Sequence, residues 1–511
     1  MKERKNQNQK IDYHVVIPTL ILVAGIVFVL IVFPTASKNV IQILYDKTVE
    51  KWGWLYIVCC LASFVFVGWL TISPYGKLRL GGEDAKPAYR TLEWAGMIFT
   101  SGVGSSAVLL GFMEPLYYVN EPPFDMVPFS KEAYEYAHMY GQFHWGLSAW
   151  AVYIPAIVCI AMVVYQKGET SLRLSTITKY TKGKPKKIWG KLIDILVLFG
   201  ILAGISTSLG LAIPVLSGLI SDAFHIPNNF MLKVGILGIW ILLFSMSVFR
   251  GLDKGIRILS NINLALLSIF LVIILLLGSV PQIMKMEINS IGLYIQEFVR
   301  MNTWLDPFGD GAFPKLWTIF YWGWWLTFMP MMALFVVRVS KGRTLRSVVW
   351  LQMLFGTLGC WLCFGVFGGY SLQVQQSGTL NLVKIIETEG QSQAMIQLLE
   401  SMPGSFFITI LFCVLMFVFL ATTIDSAAYV LASSSMKYLK VDTQPSRGVR
   451  IFWAFVLATL SMGLLLLDEL TAVQTIALLA GFPLIFVQFY LCKKGVYLLK
   501  EDFQLRHSDT K

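Results

Sequence analysis

The sequence predicts an all-α integral membrane protein with twelve transmembrane helices, and three observations carry that prediction. The 511 residues are 56% hydrophobic and 14% charged, with a mean hydropathy of +0.66, a balance foreign to a soluble domain with one buried core. The apolar stretches run for about 20 residues or more without alternation, as a helix crossing about 30 Å of hydrocarbon requires. Lysine and arginine also fall in every second loop.

Twelve stretches qualify in chain order: 14–35 and 52–73; then 92–119, 141–166, 188–221, 231–250 and 258–281; then 316–337, 347–370, 404–436, 451–467 and 471–492. The first is too long for a signal peptide and lacks a small-residue cleavage pattern, so it reads as a span. Lys2, Arg4, Lys5 and Lys10 precede it, and Lys77, Arg79, Lys86 and Arg90 follow the second span. Lys167, Arg173, Lys179, Lys182, Lys184, Lys186 and Lys187 follow the fourth. Arg250, Lys254 and Arg257 follow the sixth, and Arg338, Lys341, Arg343 and Arg346 the eighth. Lys437, Lys440, Arg447 and Arg450 follow the tenth. The opposite loops are acidic or weakly charged, with Glu121, Asp125, Glu132, Glu135, Asp468 and Glu469. Both termini are therefore expected in the cytoplasm. The net charge of +11 is a topology signal and gives no reason to invoke nucleic acid.

The chain divides into a tail at 1–13, two peripheral spans in 14–91, five spans in 92–281, an external connector at 282–315, five spans in 316–492 and a tail at 493–511. Two units of five spans run in opposite directions, the inverted-repeat plan of many secondary transporters. Segment 285–300 is amphipathic, either lying on the outer membrane surface or serving as an ordinary connecting helix. The seven cysteines lie in or beside spans and imply no disulfide framework; the Cys360 and Cys363 pair reads as packing.

Function is written in the interruptions and the aromatics. FTSGVGSSAVLLG, residues 99–111, places Ser101, Gly102, Gly104, Ser105 and Ser106 inside an apolar span. Such a run either unwinds the helix and bares carbonyls or lets helices approach closely. Unwinding is favoured because the eighth span also begins irregularly, at TWLDPFGDGAF. Glu114, His144 and Asp425 are ionisable groups within spans and so functional candidates, with Asp425 expected to pair with a neighbour. No metal set, Walker sequence or nucleophile elbow is present, so an enzyme has no candidate machinery. WTIFYWGWWLTF, residues 317–328, is either an interfacial aromatic belt or the wall of a dry pocket for a cation.

FYWGWW at 320–325 followed by VVRVSKGRT at 336–344, GFMEP at 111–115 and FHWGLSAW at 143–150 strongly resemble the betaine/carnitine/choline transporters, over nearly the whole chain. The resemblance implies two spans followed by a LeuT-like 5+5 inverted repeat, a homotrimer, and a quaternary ammonium held in an aromatic box; the basic loops and lack of targeting signals suggest a prokaryotic inner membrane. Mapped by motif, the box is Trp145, Trp150 and Tyr153 with Trp324, Trp325 and Phe328; Met332 and Tyr117 are the further substrate-site positions. Spacing agrees in part, since Trp150 and Tyr153 are i, i+3 neighbours and Trp324, Phe328 and Met332 share a helical stripe.

Proton-coupled choline carriers of the family place an aspartate where this chain has Ser106. A ligand bringing its own carboxylate, namely glycine betaine, carnitine or γ-butyrobetaine, is therefore expected, with choline as the alternative. Sodium-driven members bind the ion at positions matching Thr100, Val103, Phe419, Thr422 and Thr423. Sodium-independent antiporting members substitute an arginine, where Asn263 stands here, and a methionine, where Met332 stands. Coupling is thus sodium symport or substrate antiport, and no cofactor beyond that ion is expected. A membrane sensor that binds quaternary amines without moving them is the competing class.

Overall fold

Backbone in hydrocarbon has no water to bond, so a spanning chain satisfies itself by helix or closed barrel. The computed structural model describes residues 10–103, 105–169, 171–180, 187–250, 252–439, 443–465 and 470–508. Within them all regular structure is helical, apart from two isolated bridges, Ile11 with Met436 and Arg79 with Thr344. Lys2, Arg4, Lys5, Gly104, Lys182, Lys184, Lys186, Lys440, Asp468 and Glu469 lie outside the described residues.

The chain opens with α1 (Tyr13–Val32) and α2 (Pro34–Ile72). At 39 residues α2 is about 58 Å long, well beyond the hydrocarbon thickness. Hydropathy reports only its apolar half; the polar turns around Lys38, Asp46 and Lys51 are helical too. Then come α3 (Thr91–Gly102) and α4 (Ser106–Asn120), which meet at 61°. The fourth span is broken into α5 (Lys131–His144), α6 (Leu147–Ala151), α7 (Ile154–Ala161) and a π-helical turn at Met162–Gln166. It is followed by α8 (Lys187–Phe224), α9 (Phe230–Arg250), α10 (Leu252–Leu277) and α11 (Val280–Thr303).

A π-helical turn at Pro314–Ile319 leads into α12 (Phe320–Val339), and another at Phe364–Gly368 joins α13 (Leu345–Cys363) to α14 (Gly369–Ser377). Two short helices, α15 (Leu382–Glu389) and α16 (Gln391–Glu400), precede α17 (Ser405–Ser434), α18 (Arg447–Leu465) and α19 (Leu470–Ser508). By length and composition, ten of the described helices can cross a membrane, or eleven with the bent α3–α4 pair counted as one span. The shorter apolar run Phe230–Met246 of α9 stands where the sixth of the twelve expected spans was read.

Burial separates scaffold from interior. The apolar windows of α1 and α10 are only 33% buried, whereas those of 131–166 and 314–339 are 94% and 100% buried. The two motif-bearing segments are therefore the interior ones, and α12 packs on α19, α8, α7, α3 and α17. On α11, which is longer than 285–300, Ile283, Ser290 and Tyr294 face inward while Ile288, Ile295 and Val299 are exposed.

The basic end of the bundle is tied between distant parts of the chain. Gly342 lies at φ +83°, and a Cβ there would sit 2.2 Å from the Lys86 carbonyl carbon, which reserves the position for glycine. The tight turn lets Leu80 N–H donate to the Arg343 carbonyl at 2.9 Å and Gly342 N–H to the Leu80 carbonyl at 2.7 Å. The Arg343 guanidinium stands 4.6 Å over the Trp94 ring, whose Nε1 donates to Ser340 Oγ at 3.0 Å. The VSKGRT stretch is thus a tie between the α12–α13 turn and the segment leading into α3. Asp12 and Asp194 hold the Arg173 guanidinium at 2.9 Å and 2.7 Å. Burial pushes the Asp12 carboxyl up, but the Arg173 hydrogen bond and the Arg173 and Lys191 charges outweigh it and leave the group below its ordinary value.

Candidate substrate site

The site forms where helices stop. Trp145 is the residue after α5, and Gly146 next to it adopts φ −96°, ψ −148°. A Cβ on Gly146 would lie 2.6 Å from the Gln142 carbonyl oxygen, so the break depends on glycine at that position. This second broken span was not read from the sequence; the glycine after HW in FHWG was its only signal.

Released from the helix, the Trp145 ring meets α12 edge to face, 5.7 Å from Trp324 and 5.6 Å from Trp325. Phe364, in the π turn after α13, is 5.5 Å away on another side. Tyr153 lies 5.4 Å from Trp325. Phe328 lies 5.9 Å from Trp324, one helical turn before it. Each tryptophan is locked by its N–H: Trp324 Nε1 donates to the Gly204 carbonyl at 3.2 Å and Trp325 Nε1 to the His144 carbonyl at 3.1 Å. Together Trp145, Tyr153, Trp324, Trp325 and Phe328 line one small cavity, and Gly102 and Val103 from the α3–α4 break complete its wall. Its volume is about 10 Å³, room for about one water molecule. The rings are packed closely enough to leave no room for a larger group.

The other expected substrate residues take different places. Trp150 stands behind the wall, 5.8 Å from Tyr153 and 5.7 Å from Trp325. Gly356 on α13 makes room for it, since a Cβ there would lie 2.3 Å from two atoms of the indole. Met332 presses its methyl on Gly102, where a Cβ would sit 2.8 Å away. Tyr117 is separate: its ring lies 5.4 Å from Trp317 and its hydroxyl donates to Gln391 Oε1 at 3.3 Å. It lines an outer cavity of about 590 Å³, with Glu387 and Glu389 on its rim.

The expected ion residues meet where α3, α10 and α17 touch. Thr100 Oγ1 is 2.8 Å from Ser260 Oγ, Asn263 Nδ2 donates to Thr422 Oγ1 at 2.7 Å, and Ser426 Oγ donates to Ser101 Oγ at 2.8 Å. Thr423 Oγ1 donates to the Phe419 carbonyl at 3.2 Å, and Val103 sits on the wall of the aromatic cavity. Asn263 Oδ1 is buried without a hydrogen-bond partner, an oxygen free to join the threonines around a hard cation. Asp425 pairs with Arg450, both fully buried, which is the neighbour-pairing its position suggested. All seven cysteines are free, Cys360 and Cys363 included.

The profile of the BCCT, betaine/carnitine/choline family transporter, matches residues 14–504. The uncharacterized transporter YeaV of Escherichia coli is 33% identical over 447 residues, 87% of this chain and 92% of that protein. A carnitine transporter of Acinetobacter baumannii is 32% identical over 492 residues, 95% of this chain and 89% of the other. The glycine betaine transporter OpuD of Bacillus subtilis is 33% identical over 457 residues, 89% and 88% of the two chains.

Proposed function

Because the chain belongs to the betaine/carnitine/choline family of membrane transporters, we propose that it carries a zwitterionic quaternary ammonium compound, glycine betaine, carnitine or γ-butyrobetaine, across a bacterial inner membrane. The observation that carries this reading is the cavity closed by five aromatic rings beside a broken helix. Rings in a desolvated pocket attract a cation by roughly 2 kcal/mol or more each at best. They also exclude water, which strengthens that attraction.

The carboxylate end of the ligand has its own supports. Ser105 and Ser106, at the start of α4, have buried hydroxyls without hydrogen-bond partners, and the first N–H groups of a helix favour an anion. That combination suits betaine or carnitine better than choline. The contracted cavity fits an alternating-access cycle in which two five-helix units rock about the site. Thr100, Thr422, Thr423 and Asn263 would hold a sodium ion if coupling is by symport, with Met332 against the break as the feature shared with antiporting members. The homotrimer and the cytoplasmic termini belong to the same reading, the first from family resemblance and the second from the basic loops.

The test is uptake of labelled glycine betaine, carnitine and γ-butyrobetaine into proteoliposomes, with and without a sodium gradient and with unlabelled substrate trapped inside. Uptake that needs the sodium gradient means symport; uptake that needs trapped substrate means antiport. Ligand binding with neither would make the protein a sensor and sink the proposal.

A further inference from the structure

Behind the Trp145 wall of the cavity lies a buried hydrogen-bond chain that the transport reading does not use. Glu114 on α4 and His144 at the end of α5 are both fully buried inside the bundle. Tyr118, one turn after Glu114, joins them: its hydroxyl is 3.0 Å from Glu114 Oε2 and 3.0 Å from His144 Nδ1. His144 Nε2 is 3.0 Å from Thr318 Oγ1 in the π turn before α12. The other carboxyl oxygen, Glu114 Oε1, accepts from Trp145 Nε1 at 3.4 Å. The chain therefore runs Trp145, Glu114, Tyr118, His144, Thr318, with a wall of the cavity at one end.

Its partners are all neutral, and an ionised carboxylate buried in a membrane without a cation is costly. The titratable groups around it are Tyr117 on α4, Tyr140 on α5 and Tyr321 on α12. Three carboxylates stand further out: Glu287 of α11 bonded to Gln142, Glu297 of α11 4.0 Å from Arg300, and Glu387 of α15 bonded to Asn120. The cation Arg300 of α11 is turned to the Phe124 ring, 4.1 Å from its centre.

Counting hydrogens gives the chain two complete arrangements. In one, Glu114 is ionised, Tyr118 donates to it, His144 donates from Nδ1 to Tyr118, and Thr318 donates to Nε2. In the other, Glu114 is protonated and donates to Tyr118, Tyr118 donates to Nδ1, and Nε2 donates to Thr318. The second holds one proton more, and every group in it is neutral. A proton taken up at Nε2 converts the first to the second: the Nδ1 proton passes to the Tyr118 oxygen, and the Tyr118 proton passes to Glu114.

We infer that Glu114 is a proton-binding site whose proton is released when the ammonium enters the cavity, with Tyr118 and His144 as its relay. A positive charge beyond Trp145 favours the ionised carboxylate behind it, and the carboxylate in turn favours the cation. The inference rests on the reading of the cavity as a quaternary ammonium site. It makes affinity depend on pH: where the resting site is protonated, release of one proton raises affinity about tenfold per pH unit.

The test is calorimetry on the purified full-length protein with glycine betaine and with L-carnitine, in buffers of differing ionisation enthalpy. The wild type is expected to release protons on binding, and Glu114→Gln to bind without releasing any and with an affinity that no longer varies with pH. Tyr118→Phe, which removes a donor to the ionised carboxylate, should move the midpoint of the pH profile upward; thermal unfolding confirms that both variants are folded. Wild-type binding with no proton release, equal release from wild type and Glu114→Gln, or an unmoved midpoint in a folded Tyr118→Phe would each overturn the inference and leave the transport reading standing. No binding of either compound at any pH would overturn both.

Discussion

Gly356→Ala probes the cavity from outside it. The new methyl would lie 2.3 Å from Cδ2 and Cε2 of Trp150 and 2.8 Å from Cε3. Ordinary carbon contacts begin near 3.5 Å, so the indole or the helix must give by about 1.2 Å. Retreat for the ring is limited, because its far edge already faces Gly102 across the span-three break, 3.4 Å from where a Cβ would stand. Forced overpacking costs about 1–3 kcal/mol. Alanine recovers about 1 kcal/mol of helix propensity over glycine within α13. The net destabilisation is therefore about 0–2 kcal/mol. The larger effect is on binding, since Trp150 leans on Tyr153 and Trp325 and passes its displacement to two rings of the wall. Loss of good contact with one aromatic face costs about 1–2 kcal/mol, a roughly 5- to 30-fold weaker Kd. Intrinsic tryptophan fluorescence titrated with glycine betaine or carnitine in detergent reads this directly, with the melting temperature as control. Gly356→Ala with Trp150→Phe, which removes the clashing ring junction, should recover much of the affinity. Unchanged Kd and unchanged melting in Gly356→Ala would refute the placement of Trp150 and with it the geometry of the wall.

Three further expectations follow from the same contacts. Trp325→Ala removes a ring in contact with Trp145, Trp150 and Tyr153 and should weaken binding about 30-fold or more, whereas Trp325→Phe keeps a face and should lose less; transport kinetics in proteoliposomes check both. Asp425→Ala strands Arg450, 1% exposed, and should cost about 3–5 kcal/mol of stability, more than the Asp425→Ala and Arg450→Met pair together, as thermal unfolding will show. Burial pushes the Glu287 carboxyl on α11 up to about 7 from 4.5, against the Gln142 hydrogen bond. A raised acid stabilises the fold fully below its unfolded value and loses that contribution as pH rises through about 7, so the wild type should melt lower at pH 8 than at pH 5 and Glu287→Gln should flatten the difference.

How much of this was legible in the sequence depends on the range of the signal. Hydropathy finds the spans because the cost of lipid exposure is local to each segment, and it misjudges α2 because polar turns beyond the bilayer stay helical. The pairing of Trp145 with Trp324 and Trp325 was legible from motif. The position of Trp150 behind the wall was not, because it is set by Gly356, more than 200 residues on and on another helix. Tyr117 was read with the substrate residues and lines the larger cavity, apart from the five rings. Glu114 and His144 were each visible as ionisable groups in apolar spans. That one tyrosine links them is a fact of packing.

The discontinuities share one neighbourhood, and that has a mechanical consequence. The α3–α4 break supplies Gly102 and Val103, the α5–α6 break supplies Trp145, and the π turn after α13 supplies Phe364, all around the same rings. The π turn before α12 supplies Thr318 to the chain behind them. A continuous helix can rotate about such a point only by breaking backbone hydrogen bonds in hydrocarbon, where each lost bond is expensive. Segments already interrupted have given up those bonds and found other partners, as Trp325 Nε1 has on the His144 carbonyl at the end of α5. On the proposed reading, parting the rings to admit a trimethylammonium group would turn segments about these existing interruptions. Because Trp145, at the break, also carries the hydrogen bond to Glu114, a movement that opened the cavity would on this reading also alter the surroundings of the buried carboxyl.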